Sequence, residues 1–238
     1  MRIALLGYGK MGKVIEQIAV QRGHEISAKI DITNRTELLS LDRENTDVVI
    51  EFSSPEAAYG NLKFCMEFGL PTVCGTTGWL QHQSEIEKLC IDNKAAFFYA
   101  SNYSIGVNLF FELNKKLAQL MNPYKDFKVS SNEIHHTEKK DAPSGTAITL
   151  AEGIIANLSN KNAWVNNAIS SENEVPIWSS REGKVAGTHT VKYISEVDQI
   201  EISHIAHSRN GFALGAVVAA EWLNGKQGIF RMNDLMGF

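Results

Sequence analysis

Cysteine is scarce in this chain, and long apolar runs and a basic surplus are missing altogether. The three cysteines, Cys65, Cys74 and Cys90, are odd in number and too far apart for a CxxC metal clip, so neither a zinc ribbon nor a disulfide framework is expected. That usage suits a reducing compartment, and a cytoplasmic location is the expectation. The longest uncharged apolar stretch away from the N-terminus, Phe212 to Ala220, falls far short of the roughly 18 residues a bilayer span needs. The opening run Ile3 to Leu6 is too short for the apolar region of a signal peptide and lacks a small-residue cleavage site, so no leader is expected. Lys and Arg number 23 against 27 Asp and Glu, a net charge of −4, which argues against nucleic acid or an anionic membrane as the main partner. Apolar residues are not in short supply: at 44% of the chain they exclude disorder and suffice for one or two domains.

Through the first hundred residues, short apolar runs alternate with helix-period segments. The runs are Ile3 to Leu6, Ile26 to Ile30, Val48 to Phe52, Pro71 to Cys74 and Ala95 to Tyr99. Continuous hydrophobicity is what a parallel strand covered on both faces requires, so the expected fold class is α/β with a Rossmann-like, doubly wound parallel sheet. After Ser101 the pattern changes. An apolar-periodic segment, Val107 to Leu120, ends near Pro123, and alternating strands follow at Phe127 to Val129, Thr190 to Ile194 and Gln199 to Ile202. Alternation suits a sheet with one wet face, which predicts a second, α+β domain with a mixed or antiparallel sheet. Phe212 to Leu223 reads as a small-residue, buried helix, and the polar stretch Asn157 to Glu174 as a surface loop.

Three groups of residues carry chemistry. Gly7-Tyr8-Gly9-Lys10-Met11-Gly12 directly follows a predicted strand and opens a helix. Such glycines allow a tight turn, close approach to a pyrophosphate and close helix–strand packing, and the helix N-terminus supplies N–H donors. Asp31, 19 residues beyond Gly12 at the end of the second strand, is placed to accept hydrogen bonds from ribose hydroxyls, so a nicotinamide dinucleotide is the expected ligand. Glu51-Phe52-Ser53-Ser54-Pro55 and Cys74-Gly75-Thr76-Thr77-Gly78 follow the third and fourth strands, on the rim where open α/β sheets bind ligands. Ser53 and Ser54 serve equally well as helix caps or cofactor contacts, whereas Gly75, Thr76 and Thr77 favour the cofactor. The densest group is Glu133-Ile134-His135-His136-Thr137-Glu138-Lys139-Lys140-Asp141-Ala142-Pro143-Ser144-Gly145-Thr146-Ala147. Imidazoles and ammonium groups beside a Ser-Gly-Thr turn that opens an apolar helix combine proton donors with an anion site, which suits a small dicarboxylate. Zinc on His135 and His136 is a poor reading, because adjacent strand side chains point to opposite faces, and no metal is expected.

On the strength of these strings, the chain resembles the dihydrodipicolinate reductase family along its whole length. The resemblance rests on GYGKMG at 7–12, EFSSPE at 51–56, CGTTGW at 74–79, ASNYSIGVN at 100–108, EIHHTEKKDAPSGTA at 133–147, REGKVAGTHTV at 181–191 and GFALGAVVAAEWL at 211–223. It implies reduction of a cyclic unsaturated dicarboxylate, 4-hydroxy-tetrahydrodipicolinate, by NADH or NADPH in lysine and diaminopimelate biosynthesis. It further implies that His135 is the proton donor and that Lys139 assists as acid or carboxylate ligand. Gly145 and Thr146 would hold a substrate carboxylate, with His136 lining the same pocket. On the cofactor side it points to Gly7, Gly9, Lys10, Met11 and Gly12, to Asp31, Phe52, Gly75 and Thr77, and to the hinge segment Ser101, Asn102 and Tyr103, with Arg209 and Phe212 on the return segment. The implied division is a dinucleotide-binding domain at 1–103 and 209–238 and a substrate-binding and oligomerisation domain at 104–208, whose mixed sheet joins four subunits into a homotetramer.

Two departures bear on the cofactor. The stretch from Asp31 to Asp47 is shorter than in many relatives, and Ile32 stands where many of them have an arginine for a 2′-phosphate, with Arg35 three positions on. Asp31 itself would repel that phosphate, so NADH is expected to be favoured. Competing readings are a nicotinamide-binding sensor without turnover and another two-domain dehydrogenase. An acylating aldehyde dehydrogenase would need a nucleophilic cysteine in the second domain, and all three cysteines precede residue 91.

Overall fold

The computed structural model describes residues 1–167 and 169–238, and the chain divides into two compact units. One is Met1–Ser104 with Asn210–Phe238, the other Ile105–Arg209. In chain order the first unit holds β1 (Arg2–Leu6), α1 (Lys10–Gln21), β2 (Glu25–Ile30), β3 (Val48–Glu51), α2 (Pro55–Glu67), β4 (Thr72–Cys74), α3 (Gln83–Asp92) and β5 (Ala96–Tyr99). The second holds α4 (Ile105–Met121), β6 (Lys128–His135), α5 (Gly145–Ile155), β7 (Ala163–Val165), β8 (Glu174–Arg181), β9 (Thr188–Ile194) and β10 (Gln199–Ile205). The chain then returns to the first unit with α6 (Asn210–Leu223), β11 (Gly228–Phe230) and α7 (Met232–Met236).

The first unit is a six-stranded parallel sheet in the order β11-β5-β4-β3-β1-β2. Strands β3, β4 and β5 are buried along their whole length, as their unbroken apolar sequence requires when both faces carry an apolar layer. One layer centres on Leu62, Trp79 and Phe97, the other on Ile15, Phe98 and Val217. Strand β2 differs: as the edge strand it alternates exposed and half-buried residues before ending on buried Ile30. The crossover from β2 to β3 carries a 3-10 segment, Ile32–Ser40, in place of a full helix. Because β1 has β2 on one side and β3 on the other, the strand order reverses there. The loops after β1 and β3 therefore flank the switch point where such sheets bind ligands.

The second unit is a mixed five-stranded sheet in the order β10-β9-β6-β8-β7, antiparallel across β10, β9 and β6 and parallel across β6, β8 and β7. Helices α4 and α5 pack with one face of it around Phe110, Leu150, Ile154, Ile177, Val191 and Tyr193. The other face carries exposed Trp178 and Ile205. The expected surface loop from Asn157 to Glu174 needs correction, since it contains β7, which pairs with β8 at the sheet edge. An Ala-Trp-Val triplet inside polar sequence is too short to show a period, and it is the pairing that makes it a strand. Strand β8 is likewise absent from the sequence expectation, because Pro176 inside it argues against a strand.

Candidate active site

Two groups of expected residues are each brought together within one unit. In the first unit, β1 ends at Leu6 and the chain turns at Gly7, whose φ of +93° lies in the left-handed region. A Cβ there would overlap the carbonyl of Phe52, and one on Gly12 would overlap the carbonyl of Gly7. Helix α1 then starts with Gly9 as N-cap, without a capping side chain or an acidic residue in its first turn. That end of the helix thus keeps positive potential and donors for a phosphate. A cavity of about 520 Å³ is lined by Gly7, Gly9, Asp31, Arg35, Phe52 and Ser53, among others. Asp31 is exposed and caps the 3-10 segment by accepting the N–H of Ile32 at 2.9 Å. A carboxylate has several acceptor sites, so it keeps capacity for a ribose. A second cavity of about 380 Å³ is bounded by Met11, Phe52, Gly75, Thr77 and Phe212, together with Thr76 and the Ser101, Asn102 and Tyr103 segment. The Phe52 ring lies where a Cβ on Gly75 would stand. Bare backbone, an uncapped helix start and a carboxylate at the second strand end fit a dinucleotide.

Not every expected cofactor residue has a polar group to offer. The Thr76 hydroxyl accepts the N–H of Ser53 at 2.9 Å, and the Tyr103 hydroxyl donates to the Cys74 carbonyl at 2.7 Å. Both therefore shape the wall by fixing the strand ends. Ser53 bonds the buried carboxylate of Glu51, and Ser54 is the N-cap of α2 without a side-chain cap bond, followed by Pro55. Lys10 is exposed on the first turn of α1. Arg209 lies at the end of the second unit, exposed.

In the second unit the focus is Glu133. It lies on β6 two residues before His135, and Val129, Ser131, Glu133 and His135 are the buried positions of the strand. The register sets Arg181 of β8 opposite His135 and His189 of β9 opposite Glu133. Glu133 Oε1 accepts the Ser144 N–H at 3.0 Å and the Arg181 Nη2 donor at 3.3 Å. Its Oε2 lies 3.2 Å from His135 Nδ1 and 3.7 Å from His189 Nε2. The Oε2–Nδ1 contact is close without the alignment of a finished hydrogen bond. Burial favours the neutral acid, yet the contacts from His135 and Ser144 outweigh it and hold the Glu133 carboxyl well below the usual carboxylate range. For His189, burial and then the charge of His135 push the imidazole down to about 4.

Ser144 caps α5, its hydroxyl accepting the Ala147 N–H at 3.2 Å and lying 3.2 Å from His189 Nε2. Gly145 and Thr146 form the first helical residues, Gly145 exposed and Thr146 half-buried. Lys139 Nζ donates to both oxygens of Asp141, at 2.8 and 2.9 Å, and this bond holds the Asp141 carboxyl below its ordinary range. His136 is half-buried just past the end of β6. The ligand atoms of Glu133, His135 and His189 lie within 4.8 Å of one another. Their chemistry would suit zinc, but Arg181 and Ser144 already engage the carboxylate and the second imidazole. The sequence expectation gives Glu133, Arg181 and His189 no role. The two-residue offset of Glu133 from His135 is a readable signal, while Arg181 and His189 reach the site only through strand register.

The family model for the N-terminus of dihydrodipicolinate reductase matches residues 1–103, and that for its C-terminus matches residues 106–236. A 4-hydroxy-tetrahydrodipicolinate reductase from Christiangramia forsetii is 50% identical over 99% of this chain and 98% of its own. One from Methanococcoides burtonii is 35% identical over 96% of each chain. In fold, the chain is similar to a dipicolinate-bound dihydrodipicolinate reductase from Paenisporosarcina sp. TG-14, with a TM-score of 0.75 and 24% identity over 97% of each chain. The chain belongs to the dihydrodipicolinate reductase family.

Proposed function

We propose that this chain reduces 4-hydroxy-tetrahydrodipicolinate to tetrahydrodipicolinate, with the 4-hydroxyl leaving as water, in lysine and diaminopimelate biosynthesis, with His135 as the proton donor. The observation that carries the reading is the buried His135–Glu133 pair tied, through the Ser144 N–H, to the start of α5. A nicotinamide cofactor, when bound, supplies the hydride. It would be held by the Gly7–Gly12 loop, Asp31 and the wall formed by Phe52, Gly75, Thr76 and Thr77. The chain's other residues handle anions and protons. The N–H groups of Gly145 and Thr146, with the Thr146 hydroxyl, bind one substrate carboxylate at the positive end of α5. Lys139 Nζ neutralises the other, exchanging part of its bond to Asp141 for the substrate. His136 borders the same pocket. His135 delivers its proton from Nε2 to the reduced substrate, because imidazole is the side chain best matched to proton transfer near neutral pH.

A dicarboxylate as ligand is in keeping with the Paenisporosarcina relative, which was solved with dipicolinate bound. Asp31 favours NADH, since its carboxylate accepts ribose hydroxyls and repels a 2′-phosphate. Arg35 in the same cavity keeps NADPH usable. The exposed sheet face with Trp178 and Ile205 supports assembly into a homotetramer, a state that light scattering of the purified chain reads directly. The activity is tested by supplying enzymatically generated substrate and following cofactor oxidation with NADH and NADPH in turn. Substrate-dependent oxidation is expected with both and faster with NADH; no oxidation with either would overturn the reading.

A further inference from the structure

Among the buried polar groups of the second unit, the Glu133 carboxylate joins more of the site than any side chain given a role above. We propose that Glu133 is a positioning residue that sets the proton-bearing nitrogen of His135 and, through the same carboxylate, fixes the turn that binds the substrate carboxylate. The inference rests on the functional reading above and adds a residue to it.

Three observations converge. First, the two nitrogens of His135 have different surroundings. Nδ1 is 3.2 Å from Glu133 Oε2. Nε2 sits beside Gly187, where a Cβ would come within 3.1 Å of it. The φ at Gly187 is +154°, in the region that favours glycine, so the backbone next to Nε2 carries no side chain to crowd that nitrogen. Second, the carboxylate is fully buried yet surrounded by donors, Arg181 Nη2 and the Ser144 N–H on Oε1 and the two imidazoles near Oε2. A buried negative charge that accepts from a guanidinium and a backbone N–H on Oε1 stays ionised, and its other oxygen, left without a hydrogen bond, attracts the Nδ1–H of the nearest imidazole. Third, Ser144, which Glu133 holds through its N–H, immediately precedes Gly145 and Thr146. Both contacts thus come from one short side chain on the central strand β6.

In the reactive state His135 is protonated on both nitrogens. The Nε2–H bond breaks and a new bond to that proton forms on the reduced substrate. The electron pair stays on Nε2, leaving a neutral ring with Nδ1–H directed at Glu133, and solvent water returns the proton to Nε2 after product leaves. Glu133 stabilises the charged ring before transfer and prevents the tautomer that would leave the proton on Nε2 and a lone pair facing the carboxylate. This is the orienting role a buried acid takes beside a catalytic imidazole.

Glu133→Gln and Glu133→Asp, compared with the wild type, test the proposal. Glu133→Gln is expected to lower kcat by about 10²-fold, the lower end of what a positioned general acid contributes. The solvent deuterium isotope effect on kcat should rise, and the affinity for NADH should stay unchanged. Glu133→Asp should recover part of the loss. A folded Glu133→Gln with wild-type kcat and isotope effect would overturn the proposal. Should the variant fail to fold, nitrogen-15 NMR of the wild-type His135 ring decides: the neutral ring is expected with its proton on Nδ1, and a proton on Nε2 would overturn the inference. The NMR result does not depend on turnover, so a wild type that oxidises no cofactor would refute the functional reading without deciding this one.

Discussion

Acid should weaken this fold partly through one buried side chain, His189. The ring is 4% exposed on β9, directly across from Glu133 in register. Burial, followed by the charge of His135, pushes it down to about 4 from the ordinary value of 6.5, with Glu133 pulling the other way. Above pH 6.5 the ring is neutral in both the folded and the unfolded chain, so it contributes no pH dependence. As pH falls from about 6.5 to 4, the unfolded chain binds a proton that the native state refuses, and stability declines over that window. At roughly 1.36 kcal/mol per pH unit, the full loss is about 3 kcal/mol by pH 4, of which about 2 kcal/mol is already gone at pH 5. Glu133 adds to the decline only lower down. Its depressed folded value means that its stabilisation is complete above the ordinary value of 4.5 and is lost as pH drops below it. The assay is urea unfolding of wild type and His189→Gln at pH 7 and pH 5. The substitution carries its own stability cost at both pH values, so only the change between them matters. The wild type should lose about 2 kcal/mol more than the variant on acidification. Equal losses would show that His189 is not held neutral by its burial, and the reasoning would fail.

His135→Gln should lower kcat by about 10²–10⁴-fold with unchanged NADH affinity by fluorescence titration; an unchanged kcat would remove His135 from the acid role. Lys139→Ala should raise the substrate KM and lower kcat together, the combined loss corresponding to the roughly 1.5–3 kcal/mol of a charge-assisted bond. Lys140→Ala, at an exposed position, is the control, and greater sensitivity at Lys140 would reassign the carboxylate ligand. Asp31→Ala should narrow the ratio of kcat/KM for NADH over NADPH, because it removes both the ribose acceptor and the charge that repels a 2′-phosphate. A wild type that clearly prefers NADPH would show that Arg35 and Lys10 outweigh the carboxylate.

What the sequence discloses and what it hides follow from how far apart the interacting residues lie. Strands β3, β4 and β5 announce themselves because burial on both faces writes continuous apolar sequence, and GYGKMG is legible because a βα turn and its ligand site are one local object. The Pro-containing β8 is a weak signal, because Pro176 inside it argues against a strand. The site of the second unit is legible as a dense polar string from Glu133 to Thr146, but its inner arrangement is not. Period two carried on from buried Val129 turns Ser131, Glu133 and His135 inward and leaves apolar Ile134 half-buried at the alternate position, as the structure has them, but nothing in the string names the partners of the buried carboxylate. Its burial is stable only because Arg181 from β8, the Ser144 N–H from the turn before α5 and the imidazoles surround it. Without them the burial of an unpaired carboxylate would cost several kcal/mol. A charged residue on the inward phase of a strand is therefore itself a signal, legible in the amino-acid order alone, that the inward face there is built around chemistry, with partners to be sought on the strands that pair with it.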